Sequence, residues 1–176
     1  MASYRLELAV SGRDLLQQAA LIAHAERRGL TGAWVSEVNG ADAVTQAASA
    51  VAVTTTMRVG TAIIPIQTRD PLLAAMTAQS LADLSGGRFV LGLGTSTSVI
   101  VEDWHGRPWG KPLAGTREYV SLVRQLLAGE RVTAEGAFPC AAPASPAGAK
   151  ARYRSTLAPS TTACCASPPK SRMASS

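Results

Sequence analysis

No apolar stretch in this chain approaches the ~18 residues that a membrane span requires, which excludes a transmembrane helix. The N-terminus also lacks a basic leader followed by an apolar core, so no secretion signal is read and the expected location is the cytoplasm. The three cysteines, Cys140, Cys164 and Cys165, lack metal-site spacing and have no histidine nearby, which argues against zinc. Acidic residues are absent from Cys140 onward, where five of the 17 basic residues (Lys150, Arg152, Arg154, Lys170, Arg172) and five of the ten prolines lie. Met1 to Pro139 is therefore neutral, the net charge of +5 belongs to the tail, and a nucleic-acid-binding reading loses its support. A dinucleotide fingerprint is incomplete as well, because Thr97 stands where the third glycine after Gly92 and Gly94 belongs.

What the chain does have is a repeating strand–helix pattern centred on Gly86 to Ser96. The pair Gly86-Gly87 ends the preceding element, and Phe89 to Leu93 reads as a short strand buried on both faces. It runs into Gly94, Thr95 and Ser96, where the backbone can approach a ligand at the strand's carboxyl end. Upstream, Tyr4 to Val10 reads as a first strand. A helix follows with Leu15, Ala19, Leu21, Ile22 and Ala25 at helical spacing. Leu30 to Glu37 is a second strand and its exit, and Ala41 to Thr55 a second helix. Met57 to Ile66 is a third strand, interrupted by Gly60 and Pro65. Proline removes a ladder bond, so a bulge or irregular peptide is expected around Ala62 to Pro65. Leu72 to Leu84 is a third helix with Leu73, Met76, Leu81 and Leu84 as core contacts. The resulting β-α-β-α-β-α-β order with short connections argues for a parallel sheet with right-handed crossovers.

Beyond the fourth strand, Val99 to Pro112 reads as a long loop on the ligand side. Trp104, His105 and Trp109 either wall a pocket there or fold the loop over its own aromatics. Leu113 to Leu127 is a fourth helix with Val120, Leu122, Val123, Leu126 and Leu127 apolar, and Arg131 to Phe138 a hairpin or extended arm. Glu37, at the end of strand two, stands where a carboxylate either bonds a cofactor or transfers a proton, or is simply a solvated loop acid. His24 lies within the first helix and is read as a surface or packing residue.

With these residues in view, the chain resembles the luciferase-like monooxygenase superfamily, and within it the members that use the deazaflavin coenzyme F420. The resemblance is carried by W-V-S-E-V-N-G (34–40), V-G-T-A-I-I-P-I (59–66), L-S-G-G-R-F-V-L-G-L-G-T-S (84–96), V-E-D-W-H-G-R-P (101–108) and L-L-A-G-E-R-V-T (126–133). It implies an α/β fold that is the N-terminal half of a (β/α)8 TIM-type barrel, about four β-α units, with the cofactor at the strands' carboxyl ends. Thr61, Ala62, Ile63 and Ile64 match the family's bulge with a non-prolyl cis peptide, which backs the cofactor's central ring. Gly94, Thr95 and Ser96 match a segment lying against the cofactor. Many relatives have histidine after the acidic residue that Glu37 matches. Here it is Val38, so Glu37 and His105 both stand as acid/base candidates. The implied chemistry is hydride transfer between F420 and a small organic substrate, with an FMN-dependent monooxygenase as the alternative, and no metal.

A barrel of this type needs about 250 residues. Residues 1–139 are read as the luciferase-like half barrel, and 140–176 as a basic Ala/Ser/Pro tail without helical or strand period. Such a composition buries too little to offset its ordering entropy and is expected to be disordered. The expected origin of this tail is a reading-frame shift near Pro139 in a longer parent. Exposed barrel edges imply self-association, and a chain of this length is expected to retain little activity, or to be a non-catalytic half-barrel fragment.

Overall fold

Among the described residues, three of the four α-helices begin on an aspartate. In the computed structural model, which describes residues 6–11 and 14–144, Asp14, Asp42 and Asp70 accept hydrogen bonds from first-turn N–H groups of α1 (Leu15–Arg27), α2 (Ala43–Ala52) and α3 (Pro71–Ser85). Each carboxylate satisfies donors that the helix itself leaves unpaired. Helix α3 stops at Gly86, whose φ of +63° is left-handed, and the Gly87 N–H closes the turn on the Ala82 carbonyl at 2.8 Å. The fourth helix, α4 (Pro112–Leu127), starts instead at Lys111 with no side-chain cap.

The strands β1 (Glu7–Val10), β2 (Gly32–Val35), β3 (Arg58–Thr61) and β5 (Phe89–Val90) pair in parallel in the order β1-β2-β3-β5. Two further short strands, β4 (Ile64–Pro65) and β6 (Leu93–Gly94), continue β3 and β5 past a break and pair with one another. The expected third and fourth strands are therefore each present in two pieces. Ala33, Val35, Val59 and Phe89 turn toward the helices and are buried with Ile22, Ala47, Ala78 and Leu81. The opposite sheet face carries Glu7, Trp34, Arg58 and Gly60. There the Trp34 indole donates to Glu7 at 2.7 Å, Arg58 pairs with the same carboxylate, and a Cβ at Gly60 would sit 2.3 Å from the indole ring.

Two expectations about the helices need correction. On α3, Leu73, Met76 and Leu84 are 42%, 57% and 68% exposed, and of the four proposed contacts only Leu81, at 2%, is in the core. The buried stripe is Ala74, Ala75, Ala78, Leu81, Ala82 and Ser85, small side chains that let the helix lie close against the sheet and its neighbours. On α4 the stripe includes Leu122, Val123 and Leu126 as expected. It also includes Tyr119, fully buried, with its ring edge-on to Phe138 and its hydroxyl donating to the Arg69 carbonyl at 3.0 Å. Burial pushes the Tyr119 phenol well above its ordinary pKa. The segment after α4 is an antiparallel hairpin of β7 (Val132–Ala134) and β8 (Cys140–Ala142), so ordered pairing continues three residues past Pro139. The expectations for the tail from residue 145 onward, Cys164 and Cys165 included, lie outside the described residues.

The turn entering β3 is held by one carboxylate. Glu26 of α1 accepts from the N–H groups of Thr55, Thr56 and Met57 and from the Thr56 hydroxyl. Burial opposes its charge, but these donors outweigh it and hold the carboxyl at about 2. The folded pKa lies below the ordinary value of 4.5, so the stabilisation is complete above that value and lost as pH falls toward 2. Glu26→Gln is expected to cost about 1–2 kcal/mol at neutral pH and to flatten the acid limb of stability against pH. Urea melts at a series of pH values check this, and an unchanged acid limb would count against the role.

Candidate functional site

The break between β3 and β4 is the peptide Ala62–Ile63, which is cis, at the place the resemblance implies and the Pro65 interruption points to. Its surroundings are backbone almost throughout. The Ala62 N–H donates to the Val35 carbonyl at 2.7 Å, the Glu37 N–H to the Ile63 carbonyl at 3.3 Å, and the Ile64 N–H to the Gly92 carbonyl at 3.0 Å. Thr61 is buried, and its hydroxyl donates to the Gly92 carbonyl and accepts from the Gly92 N–H, both at 2.8 Å. A Cβ at Gly92 would stand 1.8 Å from the Thr61 carbonyl oxygen, which is why only glycine serves here.

Gly94, Thr95 and Ser96 follow on the neighbouring strand end. Gly94 packs on Ile63, where a Cβ would come within 3.0 Å of the Ile63 side chain, and the Gly94 carbonyl accepts from the Ile66 N–H at 2.9 Å. Thr95 offers its carbonyl to the Trp109 indole N–H at 3.2 Å, and Ser96 has a left-handed φ of +57°, uncommon for a residue with a side chain. The bulge and the Gly94–Ser96 segment are thus brought together at the carboxyl ends of parallel strands. Ala62 is exposed at this surface, whereas the Cβ direction of Gly94 is taken up by the Ile63 side chain.

Glu37 lies beside this surface but is not a free acid. Its Oε2 accepts from the Ala43 N–H at 3.0 Å and from Arg69 Nη2 at 3.1 Å, and its Oε1 faces the Thr68 hydroxyl at 3.2 Å. The carboxylate therefore ties the exit of β2 to the start of α2 and to the loop before α3. Asp42 also faces Arg69, at 3.6 Å; burial opposes its charge, but Thr45, Val44 and Arg69 together lower its pKa. Arg69, Thr68 and Tyr119 were not singled out from the sequence. A half-buried Glu37 needs a cation, and Arg69 before the Asp70–Pro71 cap was the available signal.

The segment Val99 to Pro112 departs from the expected loop. Val99–Trp104 forms a π-helical turn with Val101 fully buried, and the His105 N–H bonds the Ile100 carbonyl at 3.2 Å. Irregular chain begins only after it, with left-handed glycines at Gly106 and Gly110. Of the three side chains proposed to wall a pocket, Trp104 and His105 are exposed and Trp109 is half-buried. The His105 imidazole has no hydrogen-bond or ion-pair partner among the described residues, and nothing joins it to Glu37.

The chain is 44% identical over 119 residues to a Mycobacterium tuberculosis protein provisionally named coenzyme F420-dependent oxidoreductase, a match covering 67% of this chain and 34% of that protein. Among solved structures it is similar to the coenzyme F420-dependent tetrahydromethanopterin reductase of Methanopyrus kandleri, with a TM-score of 0.72 and 24% identity over 82% of this chain and 46% of that one. The FMN-bound oxygenating constituent of a Pseudomonas putida diketocamphane monooxygenase gives 0.69 and 18%, covering 79% of this chain and 44% of that one. The chain thus spans a third to a half of the length of these proteins, and the sheet described above is the corresponding part of their barrel fold. The sequence profile of the luciferase-like monooxygenases matches residues 4–175, farther than the quoted motifs reach. With the cis-peptide bulge and the glycine-threonine-serine strand end in place, the chain belongs to the luciferase-like monooxygenase family.

Proposed function

We propose that this chain serves an oxidoreductase that moves hydride between coenzyme F420 and a small organic substrate. The observation that carries the reading is the Ala62–Ile63 cis peptide, with Ala62 exposed, beside Gly94–Ser96 at the carboxyl ends of parallel strands. When bound, F420 supplies a two-electron hydride donor or acceptor. In this reading Thr61, Ala62, Ile63 and Ile64 back the ring, and Gly94, Thr95 and Ser96 lie against its edge. The Thr61–Gly92 bonds keep the two strand ends from sliding. Of the acid/base candidates, Glu37 already holds a backbone N–H and Arg69, so it positions the loops that flank the ring. His105 is uncommitted and is the group assigned to carry a proton.

The FMN-dependent reading of the same surface is the alternative, since F420 and FMN both present a flat tricyclic ring. Titrating the full chain with F420 and, separately, with FMN distinguishes them. Saturable quenching of F420 fluorescence, with FMN weaker by about tenfold or more, is the expected result. Tighter FMN binding would transfer the assignment to the flavin branch. Binding of neither up to about 1 mM would leave a chain of this family without cofactor function.

A further inference from the structure

A cavity of about 500 Å3 lies behind the cofactor surface, between residues 66–71, residues 107–112 and Phe138 of the hairpin. Its back wall is shared with that surface: Ile66 bonds the Gly94 carbonyl and Trp109 bonds the Thr95 carbonyl. The polar groups inside do not balance. Arg107 and Lys111 line the cavity, and neither side chain has a hydrogen-bond or ion-pair partner among the described residues. Arg69 also lines it. Its Nη2 is taken by Glu37, but its Nε is buried with no acceptor, and the neighbouring Gln67 Oε1 is buried with no donor. Helix α4 opens at the cavity with Lys111 and Pro112. It is the one helix of the four lacking an aspartate cap, so its first-turn donors receive no carboxylate. The one acid lining the cavity, Asp70, already accepts from the Leu73 N–H and caps α3.

Arg107 and Lys111 are exposed, but two cations without a counter-ion on one concave wall, where the one acid is already engaged, set up a field that favours a ligand of negative charge. We propose that this cavity is a second ligand site that takes an anionic group, a phosphate or a carboxylate. Arg107 and Lys111 neutralise its charge, and Arg69 adds a third basic side chain to the lining. The anion comes either from a separate small ligand or from an acidic end of the cofactor seated against Thr61–Ile64. An occupied site pins the Arg107–Lys111 segment, and through Trp109 and Thr95 it steadies the strand end that faces the ring.

The test titrates the full chain with inorganic pyrophosphate while tryptophan fluorescence is followed, because Trp109 lines the cavity. The expected result is a saturable change that weakens about tenfold or more in the double variant Arg107→Glu, Lys111→Glu. The change should persist in Arg124→Glu, which reverses an exposed charge at the far end of the same helix. Circular dichroism melts of both variants show whether the fold is kept. If the double variant does not fold, Arg107→Gln, with a milder expected loss, replaces it. No saturable change, or an equal loss in Arg124→Glu, would overturn the proposal. A second arm repeats the titration in the presence of F420: competition assigns the site to the cofactor's own acidic end, and independent binding assigns it to a separate ligand. The pyrophosphate result stands whether or not F420 binds, so failure of this site and failure of the F420 reading are separately visible.

Discussion

Gly92→Ala is expected to destabilise the protein by about 3 kcal/mol and to abolish cofactor binding. The added Cβ would lie 1.8 Å from the Thr61 carbonyl oxygen, well inside any van der Waals contact. The obstruction is backbone, so no side chain can swing aside to relieve it. The strands must separate, and the bonds by which the Thr61 hydroxyl donates to the Gly92 carbonyl and accepts from the Gly92 N–H are strained or broken with them. Because Ile64 bonds the Gly92 carbonyl, the bulge shifts too. Urea denaturation should show a lower midpoint at an unchanged slope, and fluorescence titration should show no saturable cofactor quenching. A variant that melts like the parent would mean that the close approach of these strand ends is not required.

Removing the carboxylate of Glu37 is the second large effect. Arg69 and Glu37 are 19% and 16% exposed in their side chains, so Glu37→Ala leaves a mostly buried guanidinium facing only Asp42 at 3.6 Å. Breaking such a pair costs about 2–4 kcal/mol, because the remaining charge has lost its compensation. The Ala43 N–H at the start of α2 loses its acceptor as well. Glu37→Gln keeps the size and one acceptor oxygen, and is expected to recover about half of the loss. Stability of the two variants is read by thermal melting. The pH profile of cofactor-dependent turnover separates positioning from proton transfer: with Glu37 as a positioning residue, Glu37→Gln lowers the rate without moving the profile. A displaced or flattened limb would make Glu37 the proton-carrying group and remove His105 from that role.

Arg88 shows how a motif can be visible while its physical work is not. It belongs to the glycine-glycine-arginine run on which the resemblance rests, yet nothing local assigns it a partner. In the fold its guanidinium donates to the Thr54 hydroxyl and to the carbonyls of Thr54 and Met57, stitching the end of α2 and the start of β3 to β5. Ser85 completes the joint by accepting from the N–H groups of Arg88 and Phe89. The partners are more than thirty residues away in the chain, beyond the reach of any spacing rule.

The order of four strands and four helices and the glycine stop after α3 were legible because each depends on neighbours within a turn or a strand. The irregularity near Ala62 was legible for the same reason, since a proline in a strand must disturb its own ladder. Tertiary structure alone decided which face of α3 is buried. Hydrophobicity favours Leu73, Met76 and Leu84, but close approach favours the alanines, and helix packing settled the contest for the smaller side chains. It also decided that Tyr119 is core, by placing a carbonyl fifty residues earlier within reach of its hydroxyl. In the same way it made Glu37 a clamp, by bringing Arg69 to it from beyond helix α2 and strands β3 and β4. Local propensity is written residue by residue, whereas the partner of a buried charge or hydroxyl exists only once the chain has closed on itself.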